Sequence, residues 1–144
     1  MDRQAARRDL MRKVTIGEAA IEYVNAYNSH DRERLRAGYS DDFVVTNPLW
    51  EGTKGPEETT NTIEAVWNAL SGARFVLKNL IVDGETAVLE LLFEWDDPRD
   101  QQTKCFAVVD IFTVADGQLT SLRAYHDTSN MSKWLKEMGA NLNL

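Results

Sequence analysis

The stretch CFAVVDIFTVADGQLTSLRAYH, residues 105–126, reads as two β-strands joined by Asp116-Gly117. That dipeptide favours a two-residue hairpin turn, because Gly accepts φ > 0 without steric cost. In the first strand the apolar residues Val108, Val109, Ile111 and Phe112 surround a single carboxylate, Asp110. Burying an unpaired charge is expensive, so Asp110 must be paired, protonated or functional. Side chains alternate faces along a strand, which puts Phe106, Val108, Asp110 and Phe112 on one side. In the second strand Leu122, Ala124 and His126 share a parity, so His126 can face the same side as Asp110.

Working upstream, RFVLKNLIV (residues 74–82) and TAVLELLFEW (residues 86–95) are two more strands around an Asp83-Gly84 turn, and the polar loop Asp96 to Thr103 with Pro98 leads into the hairpin. Glu90 and Glu94 have the opposite parity to Leu89, Leu91 and Phe93, and are expected on the outer or dimer-facing side of the sheet. Before the strands the period is helical. Thr15 to Glu18 (TIGE) has the form of a capping box, followed by Ile16, Ala20, Tyr23 or Val24, and Tyr27 on one face to about Asn28. Asp31 can cap a second helix with Leu35 and Tyr39 inside. Asp42 to Thr46 reads as a short strand ended by Asn47-Pro48, because Pro lacks a ladder donor. Trp50 to Gly55 reads as a loop. Pro56, with Glu57 and Glu58 behind it, suits the start of a third helix that buries Ile63, Val66, Trp67 and Leu70 and stops at Gly72. Ser129 or Asn130 can cap a last short helix carrying Met131, Trp134 and Leu135, with Gly139 as its C-terminal glycine. Helices first and strands grouped later imply an α+β fold with an antiparallel sheet.

The chain has 144 residues, enough for one domain with a real core. Its formal charge of −7 argues against nucleic acid as the main partner. No apolar run approaches the roughly 20 residues needed to span a bilayer. MDRQAARRDLMRK carries charges throughout and no apolar core of a signal peptide, so residues 1–14 are expected to be a loose arm or a short amphipathic helix ahead of one domain over 15–144, with the cytoplasm as the default location. Cys105 is the only cysteine, and the histidines are His30 and His126. No metal centre is evident in that set, and neither metal nor cofactor is expected.

Element order and local residues together resemble the NTF2-like superfamily, in its ketosteroid isomerase-like and SnoaL-like branch. EYVNAYNSHD (residues 22–31) is similar to that family's first helix, VVTNPLWEGTKG (44–55) to its strand and loop, FEW (93–95) to a strand end, and VVDIFTVADGQLTSLRAY (108–125) to its last hairpin. The resemblance implies a cone of three helices packed on a curved, mostly antiparallel β-sheet around an apolar cavity, and a homodimer through the outer sheet face. It implies that Tyr23 and a neutral Asp110 donate hydrogen bonds to a carbonyl oxygen; ketosteroid isomerases are a known case of a carboxylic acid kept neutral by apolar surroundings. The family's proton-moving carboxylate falls at position 47, where this chain has Asn47. The epoxide hydrolase branch, in which an Asp directly follows an Arg in the last strand, fits less well, since Arg123 is followed by Ala124.

The candidate catalytic residues are therefore Tyr23, Asp110 and, as a substitute base that titrates near neutral pH, His126. Packing alone would read Tyr23 as core and His126 as a satisfied core or rim histidine. Candidates for contact with substrate are Asn47, Trp50, Phe93, Phe106, Val108 and Phe112, although aromatics such as Trp50, Phe75, Phe93, Trp95, Phe106 and Phe112 are more often core than substrate wall, and only one or two of them are expected to line the pocket. The expected function is an isomerase or cyclase acting on a bulky apolar carbonyl compound (steroid, polyketide or terpenoid). The alternative is a non-catalytic ligand-binding or dimerisation module, which the amide at position 47 favours.

Overall fold

In the computed structural model, which describes residues 2–140, three helices precede the long strands. Helix α1 runs Arg3–Ser29, α2 Arg32–Ala37 and α3 Pro56–Ala69; a last helix, α4, runs Thr128–Glu137. The strands are β1 Tyr39–Thr46, β2 Thr53–Lys54, β3 Arg74–Asp83, β4 Thr86–Asp97, β5 Gln102–Ala115 and β6 Gln118–His126. They form one mixed sheet in the order β2-β1-β6-β5-β4-β3. Every neighbouring pair is antiparallel except β1 with β6. The sheet is open, and the architecture is the NTF2-like cone, with the short α4 in addition to the three main helices.

The hairpin forms as its turn chemistry requires. Asp116 and Gly117 both have positive φ, 52° and 76°, the signature of a two-residue turn whose twist matches the strands it joins. In β4 and β5 burial alternates strictly enough to place Leu89, Leu91, Phe93, Phe106, Val108, Asp110 and Phe112 inside. Glu90 and Glu94 point to the opposite face, where Glu94 accepts a hydrogen bond from Arg74 Nε at 3.1 Å.

Four boundaries differ from the sequence reading. Helix α1 does not begin at Thr15. It begins at Arg3, capped by Asp2, whose carboxylate accepts from the Ala5 amide at 2.6 Å. A capping box needs an extended residue ahead of it, and here Thr15 is already helical; its hydroxyl donates back to the Met11 carbonyl at 3.0 Å. The stretch expected as an arm or short helix is, from Arg3 on, continuous with α1 and mostly exposed. Tyr39 belongs to β1 rather than to α2, because β1 starts earlier to pair with Leu119 of β6. The loop after Trp50 contains the two-residue strand β2, held against Val45 and Thr46. Helix α4 is capped by Asp127, not by Ser129 or Asn130; its carboxylate accepts from the Asn130 amide at 2.9 Å. Gly139 does stand just past that helix with φ of 78°.

The lower half of α1 lies across the concave face of the sheet and buries Ile16, Ala20, Tyr23, Val24 and Tyr27. Its end is fastened to β3 by Asn28, which accepts from the Phe75 amide at 2.8 Å and donates to the Phe75 carbonyl at 2.9 Å. His30 ends the helix in the left-handed region (φ 54°), an uncommon conformation for a residue with a Cβ. Its ring stacks on Trp67 at 4.9 Å and bonds the Ala73 carbonyl at 2.6 Å, which holds it there. The two fastenings fix the height and rotation of α1, and hence where its tyrosines meet the sheet. Among the described residues no helix is long and apolar enough to cross a membrane.

Candidate active site

Asp110 sits near the middle of β5, flanked in the ladder by Leu89 on β4 and Ala124 on β6. It is only 2% exposed. Among the described residues nothing hydrogen-bonds its carboxyl, and burial alone pushes its pKa up to about 7. A raised value is the direction that apolar surroundings impose on a carboxyl.

From α1, Tyr23 and Tyr27 stand one turn apart and reach the same wall, their rings 6.3 Å between centroids. Tyr23 packs edge-on against Phe112 at 4.7 Å, and Tyr27 lies against Phe75 at 4.3 Å and Trp67 at 5.6 Å. Burial first, and then the nearby Asp110 charge, push the hydroxyl pKa values of both tyrosines well up, so both remain O–H donors at any physiological pH. Tyr39 responds to the same two influences, but it lies behind the wall, stacked on Phe43 at 4.1 Å.

Asn47 closes β1, next to β6. Its Oδ1 accepts from the Leu49 amide at 2.9 Å and lies 3.1 Å from His126 Nε2. The Leu49 amide can only donate, so Oδ1 must be the acceptor and His126 Nε2 must carry the proton. The neutral ring therefore keeps its lone pair on Nδ1, which is buried and has no partner among the described residues. Burial lowers the pKa of His126 below its ordinary value. The Asp127 backbone and carboxylate pull the other way, without meeting hydrogen-bond geometry at Nδ1, and they lose. The ring is steadied from the side by Phe106 at 5.7 Å, itself stacked on Trp134 at 5.4 Å and on Phe93 at 5.2 Å.

These groups share one apolar cavity of about 100 Å³. It brings together Tyr23, Asp110, His126, Asn47, Trp50, Phe93, Phe106 and Val108, eight of the nine residues singled out from sequence. Phe112 is not on its wall. It has the right parity but lies one step further along β5, fully buried behind the Tyr23 ring. Trp95 is likewise core, against Trp134 at 5.7 Å. Tyr27 is the polar wall residue that sequence reading passed over as a helix marker. Its i, i+4 relation to Tyr23 was the available signal. Leu49, Ile63, Val66 and Met131 also line the cavity. Among the described residues no cluster of three or more His, Cys, Asp or Glu could hold a metal ion.

The family model for the SnoaL-like domain matches residues 20–122, from the buried half of α1 to β6. The chain belongs to the SnoaL-like family. The matched span carries Tyr23, Asn47 and Asp110 of this SnoaL-like domain and stops just short of His126. Among solved structures it is similar to an epoxide hydrolase of Mycobacterium tuberculosis, LEH-like, with 22% identity, coverage of 87% of this chain and 92% of that one, and a TM-score of 0.69. It is similar to IdmH of Streptomyces antibioticus, a proposed polyketide cyclase, with 14% identity, coverage of 84% and 98%, and a TM-score of 0.74. It is also similar to TerC, co-crystallised with polyporic acid, with 22% identity, coverage of 85% and 98%, and a TM-score of 0.72. At these identities the likeness is one of fold, and the fold serves unrelated chemistries. No curated protein matches the chain.

Proposed function

We propose that this SnoaL-like domain is an isomerase or cyclase that binds an apolar carbonyl compound in the cavity and stabilises its enolate. One observation carries the reading: Asp110 is buried on the cavity wall with no hydrogen-bond partner among the described residues, beside tyrosine hydroxyls that cannot ionise. A neutral acid and a tyrosine O–H converging on one point are donors for an oxygen that gains negative charge. His126 takes up, at Nδ1, the proton from the carbon next to the carbonyl; this nitrogen is buried in this state and meets the substrate when the ring shifts towards the cavity. The C–H electron pair passes into the enolate, and the oxygen receives hydrogen bonds from Tyr23 and Asp110. Isomerisation follows when the imidazolium returns the proton to the γ-carbon. Cyclisation follows when the enolate carbon attacks a second carbonyl, whose oxygen takes the proton. Asn47, an amide, moves no proton itself; it holds His126 in the tautomer that leaves Nδ1 free. Of the similar structures, one is described as an epoxide hydrolase and one as a proposed polyketide cyclase, which is in keeping with such a role.

The test is proton exchange in D₂O. A β,γ-unsaturated cyclic ketone should incorporate deuterium next to its carbonyl, and conjugate, faster with the protein than in buffer, as followed by NMR. A folded protein that binds the ketone and produces neither outcome would return the domain to the binding-module reading, which the amide at position 47 favours.

The assembly is proposed to be a homodimer through the outer sheet face, where Val44, Ile81 and Tyr125 are 42%, 49% and 54% exposed. Charge placed at an exposed apolar residue of a buried interface is destabilising to association. Tyr125→Lys should therefore shift the sedimenting species from dimer to monomer, and a monomeric parent protein would dispose of the proposal.

A further inference from the structure

The cavity holds about 100 Å³. Pockets for drug-sized ligands run to about 300–1,000 Å³, and an apolar cavity of about 150 Å³ accommodates benzene. The site in this state is thus the size of a single ring. Enlarging it requires a wall that can give way. Phe93, Phe106 and Val108 come from the interior of the sheet, and Tyr23 and Tyr27 from the buried face of α1; all are under 9% exposed and packed on both sides. Close-packed interiors of this kind do not yield without wider rearrangement.

Trp50 is different. It lies outside any helix or strand, in the connection from Asn47 to Gly52, and is only half-buried. Gly52 ends that connection with φ of 73° and open space around it. The indole N–H is buried without an acceptor among the described residues, whereas water would satisfy it outside, so this group opposes the closed position. The ring is held instead by Lys54, whose ammonium lies 4.4 Å from its centroid and also donates to Thr62 Oγ1 of α3 at 3.1 Å. A cation anchored to a helix therefore pins an aromatic wall across the site.

We propose that Trp50, pinned by Lys54, sets the size limit of the site, so that its substrates are one-ring carbonyl compounds rather than fused-ring ones. The proposal rests on the reading of Tyr23 and Asp110 as the donor end of the cavity and narrows its substrate class from bulky to small. It makes Trp50 a specificity-determining residue for that site.

Phenol, 2-naphthol and oestradiol, which each offer a phenolic oxygen to the donors on a growing ring system, are the probes. Binding is measured by calorimetry. Larger apolar ligands normally bind more tightly, since they bury more surface. The wild type is expected to invert that order, with phenol at least tenfold tighter than 2-naphthol and oestradiol weakest. Trp50→Ala should restore the ordinary order. Lys54→Met, which keeps the side-chain length and removes the charge, should narrow the phenol preference in the same direction. The proposal is overturned if the wild type prefers the larger phenols, or binds none of the three, or if its preference survives unchanged in Trp50→Ala and Lys54→Met. Asp110→Ala separates this from the donor reading: it should weaken all three phenols alike and keep their order. Unchanged affinities in Asp110→Ala would overturn the donor reading while the size order still decided the role of Trp50.

Discussion

Asp110→Asn is expected to make the protein more stable than the wild type at pH 8 and to lose that advantage at pH 4. The carboxyl titrates at about 7 in the folded chain against an ordinary value of 3.8. Between those values the folded state holds a proton that the unfolded state has released. Wild-type stability therefore falls as pH rises through this window, by about 1.4 kcal/mol per pH unit and roughly 4 kcal/mol in all. Below pH 4 both states are protonated, and above pH 7 both are ionised, so the loss is then complete. Asparagine keeps the shape and never titrates, and every other ionisable group is common to both chains. The difference between the two urea-unfolding profiles, taken at pH 4, 6 and 8 with unchanged m-values, isolates Asp110. Small proteins have about 5–15 kcal/mol in hand, so the effect is a large share of the total. Parallel profiles would mean that the carboxyl is ionised and satisfied at neutral pH, and the donor role would go with them.

The second large effect is on catalysis. Tyr23→Phe and Asp110→Ala are each expected to lower the rate of ketone exchange about 10²–10³-fold, the usual consequence of removing one donor from a preorganised oxyanion site. Tyr23→Phe is the cleaner variant, because it removes a hydroxyl and keeps the edge contact with Phe112. The two losses should combine less than multiplicatively, since both act on one oxygen. The pH profile should be bell-shaped. Its acid limb reports His126, active when neutral and held below its ordinary value by burial. Its alkaline limb reports Asp110, active when protonated and lost near pH 7. A rate that is unmoved in Tyr23→Phe but collapses in Tyr27→Phe would transfer the donor role one turn along α1.

Much of this site is written in alternation. The parity of Phe106, Val108 and Asp110 on β5, and of Leu122, Ala124 and His126 on β6, placed all but Phe112 of the hairpin candidates on the cavity wall before any contact was known. Parity could not exclude Phe112, because it says which face a side chain takes and nothing about how far along the strand the cavity extends. That limit is set by the Tyr23 ring, which covers Phe112. The start of α1 lies beyond local pattern for a related reason. TIGE matches a capping box, but whether Thr15 begins a helix depends on what the preceding turn is doing, and there Ala, Arg, Met and Lys favour helix already nucleated at Asp2.

By itself, then, the sequence determined the strand faces, the tight hairpin, the α+β order and the isolation of one acid among apolar neighbours, because each depends on residues a few positions apart. The tertiary structure decided the rest. His126 meets Asn47 across 79 positions only because β1 runs parallel to β6. The level at which the tyrosine face of α1 meets the sheet is set by Asn28 and His30, which fasten the end of the helix to Phe75 and Ala73. Trp50 joins the cavity wall from a short connection, with the Lys54 ammonium 4.4 Å from its ring centroid. Pairings of this kind depend on the closing of long loops and on packing from several elements at once, and no local pattern of residues encodes them.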